Sequence, residues 1–263
     1  MLDKKELRNI RLTLEYNGAR YCGWQVQNTR PALSNSLKKK RKKSIQEVAE
    51  KSLRKLLSER IRVVVSGRTD AGVHALAQVA NFYTSSKISL DKLKLGLNSL
   101  LPEDIKVSNA KEVPNTFHSR YSCKSKLYRY TILNRKHSSP LMQGRVFFYP
   151  FPLDIEAMRR ESKILLGRHD FSAFCGSLGR DRNPVKTIKK LSILHKKDLI
   201  IIDIEGDGFL YNMVRNIVGT LILVGRGKVP KGGLKDILLA RDRKKAGQTA
   251  PAYGLCLIKV KYK

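Results

Sequence analysis

The sequence predicts an α+β fold made of two similar halves, each combining helices with a mainly antiparallel sheet. Segments such as IRLTLEY (10–16) and LYRYTIL (127–133) alternate apolar and polar residues, which is typical of half-buried strands. Segments with helical spacing of apolar residues separate these strands. Because the succession of strands and helices starts again near residue 115, we expect an N-terminal half over 1–115 and a C-terminal half over 116–263.

In the N-terminal half, the first helix has the clearest signals. Apolar residues from Ile45 to Leu57 fall on one helical face, and Ser44 with Glu47 has the spacing of a capping box. Alternation and turn residues predict the other elements. These are strands at 10–16, in RVVVS (62–66), in QVANFYT (78–84) and at 105–110, and a helix near 90–100.

In the C-terminal half, the most apolar segment is FLYNMVRNIVGTLILVG (209–225), which predicts a buried helix. A second helix is expected over 154–166. Strands are predicted at 127–133, in KTIKKLSIL (186–194), in LIIIDIEG (199–206) and in GLCLIKVKY (254–262).

The charge balance predicts a polyanionic partner. Among 263 residues, 53 are Lys or Arg and 22 are Asp or Glu, so the formal net charge is +31. Nucleic acid is the first candidate partner and an anionic membrane the second. Six consecutive basic residues, Lys38 to Lys43, belong to an insertion over about 28–43. We expect this basic arm to add nonspecific, salt-sensitive RNA affinity.

Several protein classes are disfavoured. No apolar run approaches the roughly 20 residues that span a bilayer, and the segment MLDKKELRN has no signal-peptide core. The four cysteines are scattered and the five histidines lack metal-ligand spacing, so no zinc site or disulfide framework is expected. We therefore expect a cytoplasmic protein without a metal.

The most elaborate loop is SGRTDAGVHA (66–75), which places Asp70 between two predicted strands. Arg68 supplies a nearby cation, and Gly67 and Gly72 permit sharp backbone geometry or close ligand approach. Nearby cations keep a carboxylate ionised, which suits a nucleophile or electrostatic stabiliser and not a general acid. The alternative is that Asp70 is an ordinary turn or cap residue.

Aromatic and basic residues alternate in YSCKSKLYRYTI (121–132), where Tyr121, Tyr128 and Tyr130 could stack on RNA bases. Ordinary strand packing is the alternative for each tyrosine. Arg215 interrupts the apolar segment 209–225 and needs a buried partner such as Asp70, unless it snorkels to the surface. His74 and His118 are expected to order loops or contact RNA.

Seven motifs in chain order resemble the bacterial tRNA pseudouridine synthase A family. The most specific is GRTDAGVHA (67–75). The matching blocks are GWQVQ (23–27), SGRTDAGVHALAQVANF (66–82), LNSLLPEDI (97–105), FHSRYSCKSKLYRYTILN (117–134), GRHDFSAF (167–174), GFLYNMVRNIVGTLILVG (208–225) and AGQTAPAYGLCLIKVKY (246–262).

This resemblance implies a pseudouridine-synthase fold with a central basic RNA-binding cleft. It implies an isomerase that converts uridine to pseudouridine at tRNA positions 38, 39 and 40, in the anticodon stem-loop. It also implies no cofactor and a homodimer whose two subunits both touch each tRNA.

The resemblance also assigns roles to residues. It makes Asp70 the catalytic aspartate, Arg215 its partner, Tyr128 the base-stacking residue and Arg68 a group that displaces the target nucleotide. His74, His118 and Arg120 complete the expected substrate-binding residues.

Two alternatives remain open. A noncatalytic RNA-binding module explains the charge and the tyrosines but not a carboxylate among cations. A synthase of the same family acting on other RNA positions has the same active-site motifs. The long basic insertion, and lysines at 126 and 186 where the family commonly has arginine, bear on substrate choice.

Overall fold

The computed structural model describes residues 7–26, 42–176 and 183–262. Lys38 to Arg41, most of the predicted basic arm, lie outside these residues. The chain forms two compact units, 1–123 and 124–263. The predicted division at 115/116 differs from this boundary, because residues 116–123 are tied to the first unit. For example, Asn81 Oδ1 accepts a hydrogen bond from the Ser119 nitrogen at 2.9 Å. That the two halves are separate domains stays a prediction.

The first unit contains an antiparallel sheet with the strand order β4-β1-β3, and β2 pairs with β3. Alternation in β1 buries Ile10, Leu12 and Leu14, each exposed by 2% or less. The elements are β1 (Arg8–Tyr16), α1 (Ile45–Leu57), β2 (Val64–Val65), β3 (His74–Thr84), α2 (Leu90–Leu100) and β4 (Ile105–Val113).

The second unit contains a sheet with the strand order β10-β5-β9-β8-β7. Its paired strands are antiparallel, except that the short β6 pairs parallel with β5. The elements are β5 (Ser125–Leu133), β6 (Phe147–Phe148), α3 (Ile155–Ser162), β7 (Gly167–Asp170), β8 (Val185–Lys196), β9 (Leu199–Gly206), α4 (Met213–Gly225), α5 (Gly233–Ala240) and β10 (Leu255–Lys261).

The α+β class and the mainly antiparallel sheets are confirmed, whereas several element boundaries differ. The helix predicted from residue 209 begins at Met213, because Asn212 adopts a left-handed conformation with φ of 60°. The helix predicted to residue 166 ends at Ser162 and continues as a single 3-10 turn. The strand predicted in RVVVS shortens to Val64–Val65. The elements α5, β6 and β7 were not predicted.

None of the helices in the described ranges combines the length and the hydrophobicity that crossing a bilayer requires. The most apolar helix, α4, is a core helix of the second unit. All of its residues are buried except Arg215 and Leu223. It packs against α3, and its first turn carries the arginine that interrupts the apolar segment.

Candidate active site

Asp70 lies in the loop between β2 and β3, at the start of a tight turn. Its carbonyl oxygen accepts a hydrogen bond from the Val73 nitrogen at 3.2 Å. Gly72, inside this turn, has a φ of +81°, a conformation that glycine adopts without strain. Asp70 is partly exposed and Arg68 is exposed, so both side chains are accessible to a ligand.

Thr69, the residue before Asp70, is held on two sides. Its hydroxyl lies 2.9 Å from the Tyr16 hydroxyl in a buried contact. Its carbonyl oxygen accepts a hydrogen bond from the Trp24 nitrogen at 3.0 Å. Because Trp24 is 0% exposed and Tyr16 is 3% exposed, the loop rests on the core of the first unit.

Gly23 allows the segment 21–24 to approach this loop closely. Its φ is +99°, and a Cβ atom added there would lie 2.6 Å from the Thr69 carbonyl oxygen. It would also lie 3.0 Å from the Asp70 carbonyl carbon. The glycine of the GWQVQ motif is therefore a direct support of the Asp70 loop.

Gln78 on β3 fastens the start of the loop. Its Oε1 accepts a hydrogen bond from the Ser66 hydroxyl at 2.7 Å, and its Nε2 donates to the Gly67 carbonyl oxygen at 2.9 Å. Both Gln78 and Ser66 are buried. Buried hydrogen bonds of this kind fix the loop before any ligand arrives. Sequence reasoning missed Gln78, although a glutamine inside an apolar strand is a signal for such a role.

His74 is 9% exposed, and its Nδ1 accepts a hydrogen bond from the Gly18 nitrogen at 3.1 Å. Since Nδ1 accepts, the neutral ring carries its proton on Nε2. The structure thus gives His74 a loop-ordering contact. A contact between His74 and substrate stays a prediction.

His118 and Arg120 surround an exposed tyrosine in the turn 118–122. The Nδ1 atom of His118 accepts hydrogen bonds from the Arg120 and Tyr121 nitrogens, both at 3.2 Å. The His118 ring stacks on Tyr121 with a centroid distance of 4.3 Å, and the Arg120 guanidinium carbon lies 5.8 Å from the Tyr121 ring. Tyr121 is 77% exposed, so its ring can accept an external planar partner.

Tyr128 and Tyr130 lie on β5 of the second unit. Tyr128 is 7% exposed, and its ring contacts Phe209 edge to face with centroids 5.2 Å apart. Tyr130 is fully buried, and its hydroxyl donates to the Pro251 carbonyl oxygen at 2.8 Å. Burial raises the pKa of Tyr130 above its ordinary value. Ordinary packing therefore explains Tyr130, whereas stacking of a base on Tyr128 stays a prediction.

Arg215 lies in the first turn of α4 and is partly exposed. Its Nε donates to the Ala250 carbonyl oxygen at 2.7 Å, and its Nη1 donates to Asn212 Oδ1 at 2.9 Å. These two acceptors orient the guanidinium within the second unit. Asp70 belongs to the first unit, and the pairing of Arg215 with Asp70 stays a prediction.

Across the described part of the chain, no three His, Cys, Asp or Glu side chains are grouped as metal ligands would be.

Several carboxylates apart from Asp70 form ion pairs. Glu205 on β9 accepts from the Ser125 hydroxyl at 2.7 Å and from Lys261 Nζ at 2.9 Å. These two hydrogen bonds hold the pKa of Glu205 below its ordinary value.

An accessible carboxylate in a loop held by buried contacts, in a chain with a net charge of +31, fits an enzyme that acts on a polyanion such as RNA. The sequence profile of the tRNA pseudouridine synthases matches residues 14–122 and 162–263. The chain belongs to this family, which confirms the expected resemblance and the isomerase class. The matched ranges contain Asp70 and Arg215, whereas Tyr128 falls between them.

Similar proteins cover nearly the whole chain. A protein of Thermoanaerobacter sp. (strain X514) is 46% identical over 256 residues, which are 97% of this chain and 100% of that protein. A protein of Ruminiclostridium cellulolyticum is 45% identical over 257 residues, with the same coverage of 97% and 100%. A protein of Clostridium acetobutylicum is 43% identical over 256 residues, again with 97% and 100% coverage. All three are named tRNA pseudouridine synthase A.

Proposed function

We propose that this protein converts uridine to pseudouridine in the anticodon stem-loop of tRNA, at positions 38, 39 and 40. The observation that carries the proposal is the Asp70 loop. Contacts with Tyr16, Trp24 and Gln78 hold it, and it lies inside the longer matched range of the family. A net charge of +31 supplies the attraction for an RNA substrate.

The reaction is an isomerisation without net oxidation or reduction. It therefore needs a reactive group in the protein and no redox partner. The N1–C1′ bond breaks, the base turns over and a C5–C1′ bond forms. The proton on C5 is lost and N1 gains one, so atoms and charge balance. Asp70 attacks C1′, attacks C6 of the base, or removes a sugar proton to give a glycal-type intermediate. All three routes use an ionised carboxylate.

The other site residues serve binding and orientation. The target base leaves its stack before reaction, and Tyr128 is the residue we assign to stack on it. Arg215 pairs with the Asp70 carboxylate, and the exposed Arg68 helps displace the target nucleotide. The hydrogen bond from the Gly18 nitrogen to His74 Nδ1 supports the end of the loop that carries Asp70.

The turn 118–122 is the second part of the proposed RNA surface. His118 fixes the Tyr121 ring from one side, and Arg120 places a cation beside it. Aromatic rings bind unpaired bases through stacking while neighbouring cations hold phosphates. The loop of an anticodon arm offers such unpaired bases.

The proposal includes the assembly and the setting of the enzyme. It is a cytoplasmic homodimer in which each tRNA touches both subunits, and it uses no cofactor. These parts rest on the family resemblance. A symmetric pair is also the commonest form of oligomer.

The test is pseudouridine mapping on an unmodified tRNA transcript, incubated without added metal or cofactor. Wild-type protein is compared with Asp70→Asn, which keeps the side-chain shape. The matched control is Asp91→Asn, an exposed aspartate at the start of α2. We expect pseudouridine at 38–40 with wild type and Asp91→Asn, and none with Asp70→Asn.

Two other outcomes would identify the alternatives. Pseudouridine at other positions of tRNA would show a synthase of the same family with a different target. Tight tRNA binding without product from the wild type would favour a noncatalytic RNA-binding module.

A further inference from the structure

The segment 246–251, between α5 and β10, is fastened to α4 by a set of partly buried hydrogen bonds. Asn216 is the centre of this set and is 0% exposed. Its Nδ2 donates to the Phe174 carbonyl oxygen at 2.7 Å. Its Oδ1 accepts from the Thr249 hydroxyl at 2.6 Å and from Arg243 Nη2 at 3.0 Å. These contacts use both ends of the amide and fix its orientation.

Arg243 contacts the segment at two residues, Ala246 and Thr249. Its Nη1 donates to the Ala246 carbonyl oxygen at 3.2 Å, and its Nη2 also reaches the Thr249 hydroxyl at 3.2 Å. Within the described ranges, all of its hydrogen-bond acceptors are neutral. Arg243 therefore holds the shape of the segment through three neutral acceptors and pairs with no carboxylate of the described residues.

The backbones of the segment and of α4 are in direct contact. The Gly247 nitrogen donates to the Thr220 hydroxyl at 2.9 Å. A Cβ atom at Gly219 would lie 1.8 Å from the Gln248 carbonyl oxygen. Glycine at 219 is therefore needed for the segment to reach the helix, and little freedom remains for residues 247–250.

Near its end, the segment contains Ala250, the residue that binds Arg215. The Ala250 nitrogen donates to the Arg215 carbonyl oxygen at 3.2 Å, and the Ala250 carbonyl oxygen accepts from Arg215 Nε at 2.7 Å. We propose that Asn216, Thr249 and Arg243 are positioning residues that hold Ala250 and thereby aim the Arg215 guanidinium. This inference rests on the proposed function, in which Arg215 orients the catalytic carboxylate.

Thr249 offers the sharpest test, because its hydroxyl both donates to Asn216 and accepts from Arg243. Thr249→Val removes the hydroxyl and keeps the shape, whereas Thr249→Ser keeps the hydroxyl. We expect Thr249→Val to lower the single-turnover rate at saturating enzyme by about ten- to a hundredfold, as small misplacements of catalytic groups do. The tRNA Kd should stay within about twofold of wild type, since substrate contacts are retained. Thr249→Ser should recover the rate.

A second readout does not depend on activity. The ¹⁵N Nε–H resonance of Arg215, assigned through its loss in Arg215→Lys, reports the hydrogen bond to Ala250. It should shift in Thr249→Val and return in Thr249→Ser. A merely structural role would lower the Tm of Thr249→Val while leaving both the rate and this resonance unchanged at 25 °C, and that result would overturn the inference.

The same experiment separates this inference from the proposed function. If Asp70→Asn and Arg215→Lys are inactive while Thr249→Val reacts like wild type, only the positioning role is wrong. If Arg215→Lys is fully active, the assigned role of Arg215 is wrong, and the positioning role is overturned with it.

Discussion

The main-chain nitrogen of Trp24 donates a hydrogen bond to the carbonyl oxygen of Thr69, with 3.0 Å between the two atoms. This bond joins two segments that are far apart in the chain. One of its partners, Thr69, immediately precedes Asp70. The fully buried Trp24 ring anchors the first segment in the core. Displacing this segment should displace the carboxylate.

Gly23→Ala tests this dependence. The substitution introduces a side chain at a φ of +99° and a Cβ atom 2.6 Å from the Thr69 carbonyl oxygen. We expect the free energy of unfolding to fall by about 1–3 kcal/mol and the single-turnover rate to fall as well. Gly227→Ala is the control, because Gly227 has a φ of +66° and no atom within 4 Å of an added Cβ. Equal losses in the two variants would show that the contact with Thr69 is unimportant.

Gln78→Leu should destabilise the loop through unmet hydrogen bonds. It leaves the Ser66 hydroxyl and the Gly67 carbonyl oxygen without the amide that now binds them. Each buried polar group without a partner costs about 1–3 kcal/mol. Urea unfolding should detect this loss, whereas the exposed Gln143→Leu should change stability little. A Gln78→Leu variant as stable as wild type would contradict the role assigned to Gln78.

Tyr121→Ala should weaken binding of an anticodon stem-loop. Stacking of a base on an aromatic ring contributes about 1–3 kcal/mol, so we expect Kd to rise about tenfold. Tyr121→Phe keeps the ring and should bind like wild type. Leu141→Ala is the control for an exposed apolar side chain, since Leu141 is 95% exposed. Equal affinities for the alanine and phenylalanine variants of Tyr121 would exclude stacking.

The Glu205 carboxylate should make stability depend on acid pH. Hydrogen bonds from Ser125 and Lys261 lower its pKa in the folded protein, so it stabilises the fold above its ordinary pKa of about 4.5. This stabilisation is lost as pH falls through the lower pKa of the folded state. Urea unfolding between pH 7 and pH 3 should therefore show a shallower pH dependence for Glu205→Gln than for wild type. The exposed Glu103→Gln should retain the wild-type slope, and identical slopes for all three proteins would disprove the assignment.

The basic arm should contribute to the salt dependence of tRNA binding. Replacing Lys38 to Lys43 by glutamine preserves the chain, including the Lys43 carbonyl oxygen that accepts from the Cys22 nitrogen at 3.1 Å. For every phosphate that the variant no longer neutralises, the slope of log K against log salt should become shallower by about 0.7–0.9. An unchanged slope would show that the arm does not contact RNA.

Local signals in the sequence predicted local structure well. The capping box of Ser44 and Glu47 is present at the start of α1, because both partners lie within four residues. The same approach placed the start of α4 too early. The segment 209–211 is as apolar as the helix itself, and this composition does not reveal the left-handed conformation of Asn212.

The supports of the site depend on distant contacts and were not predictable from pattern. A glutamine inside an apolar strand signals a buried role for Gln78, but the pattern does not show that its amide binds Ser66 and Gly67. Arg243 and Asn216 are 27 residues apart, and no periodicity connects them. Asp70 and Arg215 were selected as chemically unusual residues, and their catalytic roles stay predictions.

The backbone hydrogen bonds of Gly23 and its two neighbours indicate where the chain can be engineered. Cys22, Gly23 and Trp24 pair through their backbones with Lys43, Ile45 and Gln46, so the two ends of the insertion are joined at its base. New chain termini introduced inside the insertion would leave that junction intact. A chain cut within the insertion should therefore stay held together at this junction, and a probe or an affinity handle attached there should leave Asp70 undisturbed.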